Sequence, residues 1–366
     1  LNIGDSSTGN ITVDGISAAN SNNVTTVNLT TASASSVSFS NNNSTFNALT
    51  VASGGSTSFG SGLTIATDTG KLSLDSTSIT TAGALTLTGA TGIDFGAGVT
   101  LTAGGNLAMT TTSGDISGAG AFTLTSTGNI SLSENLTTAG ATVITADSNG
   151  SGVGDLSINA STTLSTGNNS LTLKANDITV SGSITSGTGS TTIAVSDGGT
   201  IGLGGTAGNM TLTGAELANI TAGTLNIGDS STGNITVDGI SAANSNNVTT
   251  VNLTTASASS VSFSNNASTF KGLAVSAGNG ISQGVNVTTS NTTTLDADSN
   301  NDGSGDFNNT AGTISTGGSA LSITANDFGL SGSINTGTGT TTILVSDGGS
   351  IGLGSIAGNM TIAGSE

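Results

Sequence analysis

Residues 1–42 and 225–266 are identical letter for letter, from "LNIGDSSTGN" to "SSVSFSNN". The likeness runs on to residues 56 and 280 at a constant offset of 224. A second likeness joins "ENLTTAGATVITADSN" (134–149) to "VNVTTSNTTTLDADSN" (285–300) at offset 151. It continues at offset 150 through "LKANDITVSGSITSGTGSTTIAVSDGGTIGLG" (173–204) and "ITANDFGLSGSINTGTGTTTILVSDGGSIGLG" (323–354), and closes with "AGNMTLTGAE" (207–216) against "AGNMTIAGSE" (357–366). The chain therefore divides into a first block, 1–224, and a second, shorter block, 225–366. The offsets differ by 73, so the second block lacks about that many residues, roughly 62–134. Such a loss would gut a domain built on one closed core. A solenoid tolerates it, because each coil touches only its neighbours and the stack closes up.

Apolar pairs set the coil length. Leu63/Ile65, Leu85/Leu87, Leu107/Met109, Ile130/Leu132, Leu156/Ile158, Ile178/Val180, Ile201/Leu203 and Leu225/Ile227 recur every 22 to 26 residues, a mean of about 23. On that count the missing segment is about three coils, removed in register. Intermediate pairs such as Leu72/Leu74, Ile93/Phe95, Phe122/Leu124 and Leu171/Leu173 predict two or three short strands per coil. "ALTLTG", "GVTLTAG" and "AFTLTSTG" alternate apolar and small polar residues with the period of a strand. The polar partner is most often Thr, whose β-branch suits strands. Gly-rich corners such as "SGDISG" and "SDGGT" follow every few positions, and no stretch carries the 3.6-residue stripe of a long amphipathic helix.

Composition agrees. The chain has 57 Gly and no Pro, Cys, His, Trp or Tyr, and its only aromatics are nine Phe. A strand between two coils commits its N–H groups to ladders, and Pro would delete one of them. A string of small β-sandwich domains is the competing architecture, but sandwiches use Pro in loops and an aromatic core. The expectation is thus an all-β parallel β-solenoid of about 23 residues per coil, continuous through both blocks. Sixteen coils would rise about 75 Å at the spacing of stacked strands.

Charge narrows the partners. The net charge is −18, with no Arg and only Lys71, Lys174 and Lys271 as cations. A nucleic-acid backbone needs clustered cations, so no nucleic acid is expected. No apolar run approaches the roughly 18 residues of a membrane-spanning helix, so no span is expected. The chain shows neither an initiator Met nor a signal peptide, which predicts a segment of a longer or processed product. Because Glu366 is the counterpart of Glu216, "LANITAGT" and then "LNIGDSSTGN" are the expected continuation.

The stretches "GNMTLTGAELANITAGTLNIGDSSTGNITVDG" (208–239) and "ADSNGSGVGDLSINASTTLSTGNNSLTLKANDITVSG" (146–182) resemble the repeat regions of large secreted bacterial proteins of the filamentous haemagglutinin type. The resemblance implies a right-handed parallel β-helix, export through a dedicated outer-membrane partner, and a place at the bacterial cell surface as an adhesin shaft or fibre. It carries no functional residues over to this chain.

The strongest local motif is "DADSNNDGSGDFNN" (296–309). From Asp298 it reads D-x-N-x-D-G-x-G-D, oxygens at alternate positions before a Gly, as in the start of a calcium loop. Asp298, Asn300, Asp302 and Asp306 would supply side-chain oxygens to Ca²⁺ and Ser304 a carbonyl. Asn309 stands where such a loop carries a bidentate Glu. The matching loop "DSNGSGVGD" (147–155) keeps Asp147, Asn149 and Asp155 but not the middle acid. A solvated acidic corner is the plainer reading of both.

Other motifs carry less. "SDGGT" (196–200), "SDGGS" (346–350) and "GLGGTAG" (202–208) lack the context of a phosphate loop or dinucleotide fingerprint and read as corners. Triads need a base, and His is absent. Lys174 lies in an alternating strand where the second block has Thr324. Asn-x-Ser/Thr sequons (Asn10, Asn28, Asn129, Asn209, Asn286) are frequent because Asn, Ser and Thr are. Function therefore reads as a structural segment of an extracellular filament or adhesin shaft, not an enzyme, with neighbouring coils or copies as partners. The alternatives are a carbohydrate- or surface-binding adhesin module contacting cell-surface glycans and a polysaccharide-degrading β-helix enzyme. For the last, two facing carboxylates would suffice, but the acids are scattered among corners. An ice-binding face of Thr-x-Thr is not sustained from coil to coil.

Overall fold

The computed structural model describes residues 1–366 as an all-β parallel β-solenoid of about 16 turns, about 22 residues each. The expected architecture and coil length therefore hold. Two compact units divide the chain, Leu1–Gly189 and Ser190–Glu366. The tail of the first sequence block lies within the second unit.

In Leu1–Gly189 each regular turn contributes three strands. Ser56–Phe59, Leu63–Thr67 and Leu72–Leu74 make one turn, and Ser78–Thr81 then stacks on Ser56–Phe59 with Ile79 beside Thr57. Three parallel ladders result. The first includes Val27–Thr30, Leu49–Ala52, Leu72–Leu74, Ile93–Phe95, Ile116–Gly118 and Leu136–Thr138. The second includes Val37–Phe39, Ser56–Phe59, Ser78–Thr81, Val99–Ala103, Phe122–Ser126 and Thr142–Thr145. The third runs from Ser44–Phe46 through Leu63–Thr67 to Ile178–Val180.

Alternation decides which side faces the core. Leu63, Leu85, Leu107, Ile130, Leu156 and Ile178 stand side by side in the third ladder, all buried. Ile65, Leu87, Met109, Leu132, Ile158 and Val180 form a second buried column two residues on. Each such side chain contributes about 2 kcal/mol of burial. Between the columns Thr64, Thr86, Ser131 and Thr179 point outward. Every Phe lies in the core, and Phe39 stacks on Phe59 at 5.1 Å between ring centroids. Turns are also tied outside: Lys71 Nζ reaches Asp94 at 2.8 Å, an exposed pair of small energetic weight.

In Ser190–Glu366 one ladder runs Ser190–Val195, Ile220–Ile227, Val248–Thr254, Gly272–Ser276, Thr293–Asp296, Leu321–Ala325 and Thr341–Val345. A second runs Ile201–Gly204, Ile235–Asp238, Val261–Phe263, Ile281–Gln283, Phe307–Asn309 and Phe328–Leu330. A third joins Ser268–Phe270, Val287–Thr289, Thr313–Ser315 and Ser333–Asn335.

Two expectations need correction. First, the column of apolar pairs does not extend through Ile201 and Leu225 as one series. Ile201 pairs with Ile235, whereas Leu225 pairs with Thr191 and Val251 in a different ladder. The turn between them is enlarged by the strand Met210–Leu212 and the one-turn helix Gly214–Ala218. That helix is closed by a capping box, Thr213 accepting from Glu216 N while the Glu216 carboxylate accepts from Thr213 N. Second, the missing segment is not a whole number of coils. Ser44–Phe46 pairs with Leu63–Thr67 of the third ladder. Its counterpart Ser268–Phe270 pairs with Val287–Thr289, the equivalent of Leu136–Thr138, a first-ladder strand. Likewise Gly272–Ser276, equivalent to a first-ladder strand, carries Thr293–Asp296, equivalent to a second-ladder one. Ten strands are absent, Ser56–Phe59 through Phe122–Ser126, which is three turns and one strand more. The junction closes because every face presents the same pattern, apolar inward and Thr or Ser outward, so a strand of one face stacks on a strand of another.

Candidate functional site

The acidic loop 296–309 sits at a corner between Thr293–Asp296 and Phe307–Asn309. Its four predicted ligands do not converge. Asp298 is fully buried; within its loop Oδ1 accepts from Asp302 N (3.2 Å) and Oδ2 from Gly303 N (3.2 Å), and Oδ2 also accepts from the hydroxyl of Ser346 (2.6 Å), which follows the strand Thr341–Val345. Asp302 is exposed, and accepts from Ser304 N, the Ser304 hydroxyl and Asn300 Nδ2. These donors, the Ser304 hydroxyl first, hold its carboxyl below the ordinary range. Asp306 Oδ1 accepts from Asn326 Nδ2 (3.0 Å) and Asp327 N (3.1 Å) in the next turn. Asp296 precedes the loop, and burial pushes its carboxyl up. No group of three or more acidic side chains placed to hold a metal occurs in the chain.

The shorter loop explains the longer one. Asp147, the counterpart of Asp298, is buried with φ +52° and accepts from Ser151 N, the Ser151 hydroxyl and Gly152 N. Both loops are thus wound around one buried acid by donors four and five residues on. Asp302 occupies the position of Ser151. The alternate-oxygen pattern read in the sequence falls on a loop organised by its first Asp.

Two other carboxylates are spent similarly. Asp14 Oδ1 accepts from Asn42 N and Nδ2, and its Oδ2 from Asn41 Nδ2, bridging adjacent turns. Asp238 repeats this with Asn265 and Asn266. The Asn41 and Asn265 amides, foremost among these donors, hold the two carboxyls below their usual range. Asn side chains work the same way. The amide oxygens of Asn10, Asn129 and Asn286 accept the backbone N–H of Ser36, Asp155 and Thr313, each one turn on. Their abundance therefore has a structural cause independent of sequons.

Sequence reasoning missed one feature of the core. Gln283 and Asn309 are buried side by side, and Asn309 Nδ2 donates to Gln283 Oε1 at 3.0 Å. The first block has Leu132 and Ile158 in the same two places, also adjacent. Comparing the blocks at offset 151 would have exposed this paired change.

A groove lies at the start of the solenoid. It has a volume of about 300 Å³ and is lined by Leu1, Ile3, Ile11, Val13, Val24 and Phe46 among others. Its walls are apolar, and only Asp14 among them is acidic. No helix is long and apolar enough to cross a membrane. No protein-family model matches the chain, and neither the curated proteins nor the solved structures searched contain a match to it.

Proposed function

We propose that this chain is a structural segment of an extracellular bacterial filament or adhesin shaft of the filamentous haemagglutinin type, and that it has no catalytic role. The observation that carries the reading is the continuity of the ladders. In Leu1–Gly189 the strand Ser44–Phe46 begins a run of seven parallel strands ending at Ile178–Val180. Seven strands give six steps, about 29 Å of rise at the spacing of hydrogen-bonded strands. Such a stack makes length from a repeated unit, and it tolerates the loss of ten strands because no turn depends on a distant one.

The side chains support a shaft over the glycan-binding and glycan-cleaving alternatives. Sugar platforms are commonly aromatic, and all nine Phe here are buried. Asp14, Asp238 and Asp298 are each engaged by donors of their own or the adjacent turn. The outward faces carry Thr, Ser and Asn, with an acidic balance that keeps neighbouring shafts apart. The test is immunogold labelling of intact source cells with antibody against this chain. Label along fibres outside the cell is expected. Label confined to the cell interior would overturn the reading.

A further inference from the structure

We propose that the loop 297–306 is a strap that fastens three successive turns of the second unit, so that they open together and not one at a time. In a plain stack each turn holds only its neighbours, and stability is a sum of nearest-neighbour terms. Here Thr293–Asp296 pairs with Leu321–Ala325 of the next turn, and that strand with Thr341–Val345 of the turn after it. The corner that follows the first strand is ten residues long, 297–306, and the corner that follows the second is two, Asn326 and Asp327. The long loop folds over the short corner and reaches the turn beyond it.

The contacts follow the axis. Toward the preceding turn, Gly280 N donates to Ala297 O (2.8 Å) and Ser299 N to Ala277 O (3.0 Å). Toward the next turn, Asn326 N donates to Gly305 O (2.8 Å), and Asp306 Oδ1 accepts from Asn326 Nδ2 and Asp327 N. One turn further, the Ser346 hydroxyl donates to Asp298 Oδ2 at 2.6 Å, and both residues are buried. The loop tip is seated against that same turn: Gly303 has φ +78°, and a Cβ there would stand 3.2 Å from Asp347 Oδ2. Moving the third turn away therefore takes a donor from a buried carboxylate of the first. The loss is costly, because the acid stays out of water with an acceptor unfilled. The bond couples second neighbours, which the ladders alone do not.

The first block carries a loop of the same build. Residues 146–155 again number ten, and the next corner, Asn176 and Asp177, again two. Ser148 N donates to Ser126 O (2.9 Å), Asn176 N to Gly154 O (2.9 Å) and Asn176 Nδ2 to Asp155 Oδ1 (3.0 Å). The residue types of the forward contacts are kept: Asp298, Asp306, Asn326 and Ser346 stand where the first block has Asp147, Asp155, Asn176 and Ser196. The backward contacts use backbone alone, so they fit whichever strand precedes. That strand is Phe122–Ser126 of the second ladder in one block and Gly272–Ser276, equivalent to a first-ladder strand, in the other. The loop thus keeps its contacts directly after the block junction. The proposal goes beyond the shaft reading and does not rest on it, since it concerns only how turns separate.

The test is residue-resolved hydrogen exchange of the full chain over a series of low urea concentrations, with far-UV circular dichroism to confirm folding. Leu321 N, bonded to Thr340 O (2.9 Å), reports the contact between the second and third turns. Thr293 N, bonded to Ala320 O (3.0 Å), and Ala297 N, bonded to Thr324 O (2.8 Å), report that between the first and second. In the parent these amides should share one opening equilibrium and one urea dependence. In Ser346→Ala, Leu321 should lose protection about tenfold and open ahead of Thr293, which should change little. Thr316→Val is the control. It removes a hydroxyl that donates to Ser319 O within a single corner, and should lower the protection of all three amides alike. Leu321 opening ahead of Thr293 in the parent, amides that separate in Thr316→Val, or amides that stay together in Ser346→Ala would overturn the proposal. The parent and the control decide it even where Ser346→Ala does not fold.

Discussion

Asn309 donates its side-chain amide to Oε1 of Gln283 at 3.0 Å, with both residues 1% exposed, in a column that is otherwise Phe263 before them and Leu330 after. Gln283 Nε2 is satisfied by Val285 O at 2.8 Å, while Asn309 Oδ1 has no partner. The first block fills the same two places with Leu132 and Ile158. Truncating one amide strands the other in the core, at a cost of about 1–3 kcal/mol. Gln283→Leu alone and Asn309→Ile alone should therefore each destabilise the surrounding turns. The double variant restores the first block's pair and should match or exceed the parent. Hydrogen exchange of Ile281–Gln283 and Phe307–Asn309 reads this locally, which suits a long repeat array that need not unfold in one step. A double variant as weak as either single one would refute the pairing.

The natural loss of ten strands makes a sharper excision possible. Residues 83–104 form one turn of 22, from the corner at Gly83 to the corner before Gly105. Removing them brings Leu63 beside Leu107, and the columns on either side stay apolar. The variant should fold with the circular dichroism of a solenoid one turn shorter and a melting point close to the parent's, since stability is nearly additive along the stack. Removing only residues 83–93 splices corner to strand with the alternation broken, and should collapse cooperativity. Equal melting for both deletions would show that alternation does not govern stacking here.

The legible part of this fold was what repeats. The columns Leu63 to Ile178 were readable because one residue type returns at one spacing. The absence of Pro was readable because ladders on both sides forbid it. The enlarged turn at Met210–Ala218 was not, because a one-turn helix leaves no periodicity and Thr213 with Glu216 is an ordinary pair of letters. The shift by one strand at the block junction was invisible for the opposite reason: all three faces look alike in sequence, so nothing marks which one a strand joins. At the acidic loop the spacing of oxygens suggested converging ligands, whereas the backbone turns Asp298 inward and leaves Asp302 outside.

Those two acids give opposite expectations for a structural loop and a calcium loop. With Asp298 as the hub of three hydrogen bonds inside the protein, Asp298→Ala should cost on the order of 3 kcal/mol. Asp302→Ser reproduces the residue of the first block and should leave thermal unfolding unchanged, with and without Ca²⁺. A melting point that Ca²⁺ raises in the parent but not in Asp302→Ser would establish the calcium loop instead.

Two further carboxylates fix the sign of the pH dependence. Asp238 is held below its ordinary value of 3.8, chiefly by the Asn265 and then the Asn266 side-chain amides. A depressed folded value means that the folded state favours the charged form. Its stabilisation is present above the unfolded value, near pH 4, and is lost as the pH falls through the lower folded value. Asp296 runs the other way, because burial raises its value above 3.8. The folded state there favours the proton, so Asp296 costs nothing below the unfolded value, and its penalty on folding builds as the pH rises from there and is complete above the raised folded value. Asp238→Asn should therefore lower the urea midpoint at pH 7, and by progressively less as the pH falls below the unfolded value near 4. Asp296→Asn should raise the midpoint at pH 7, keep the contact from Asp298 N to its side-chain oxygen, and do nothing at pH 3. Midpoints that move in the same direction for both variants at pH 7 would mean that these acids do not act through the hydrogen bonds and burial described for them.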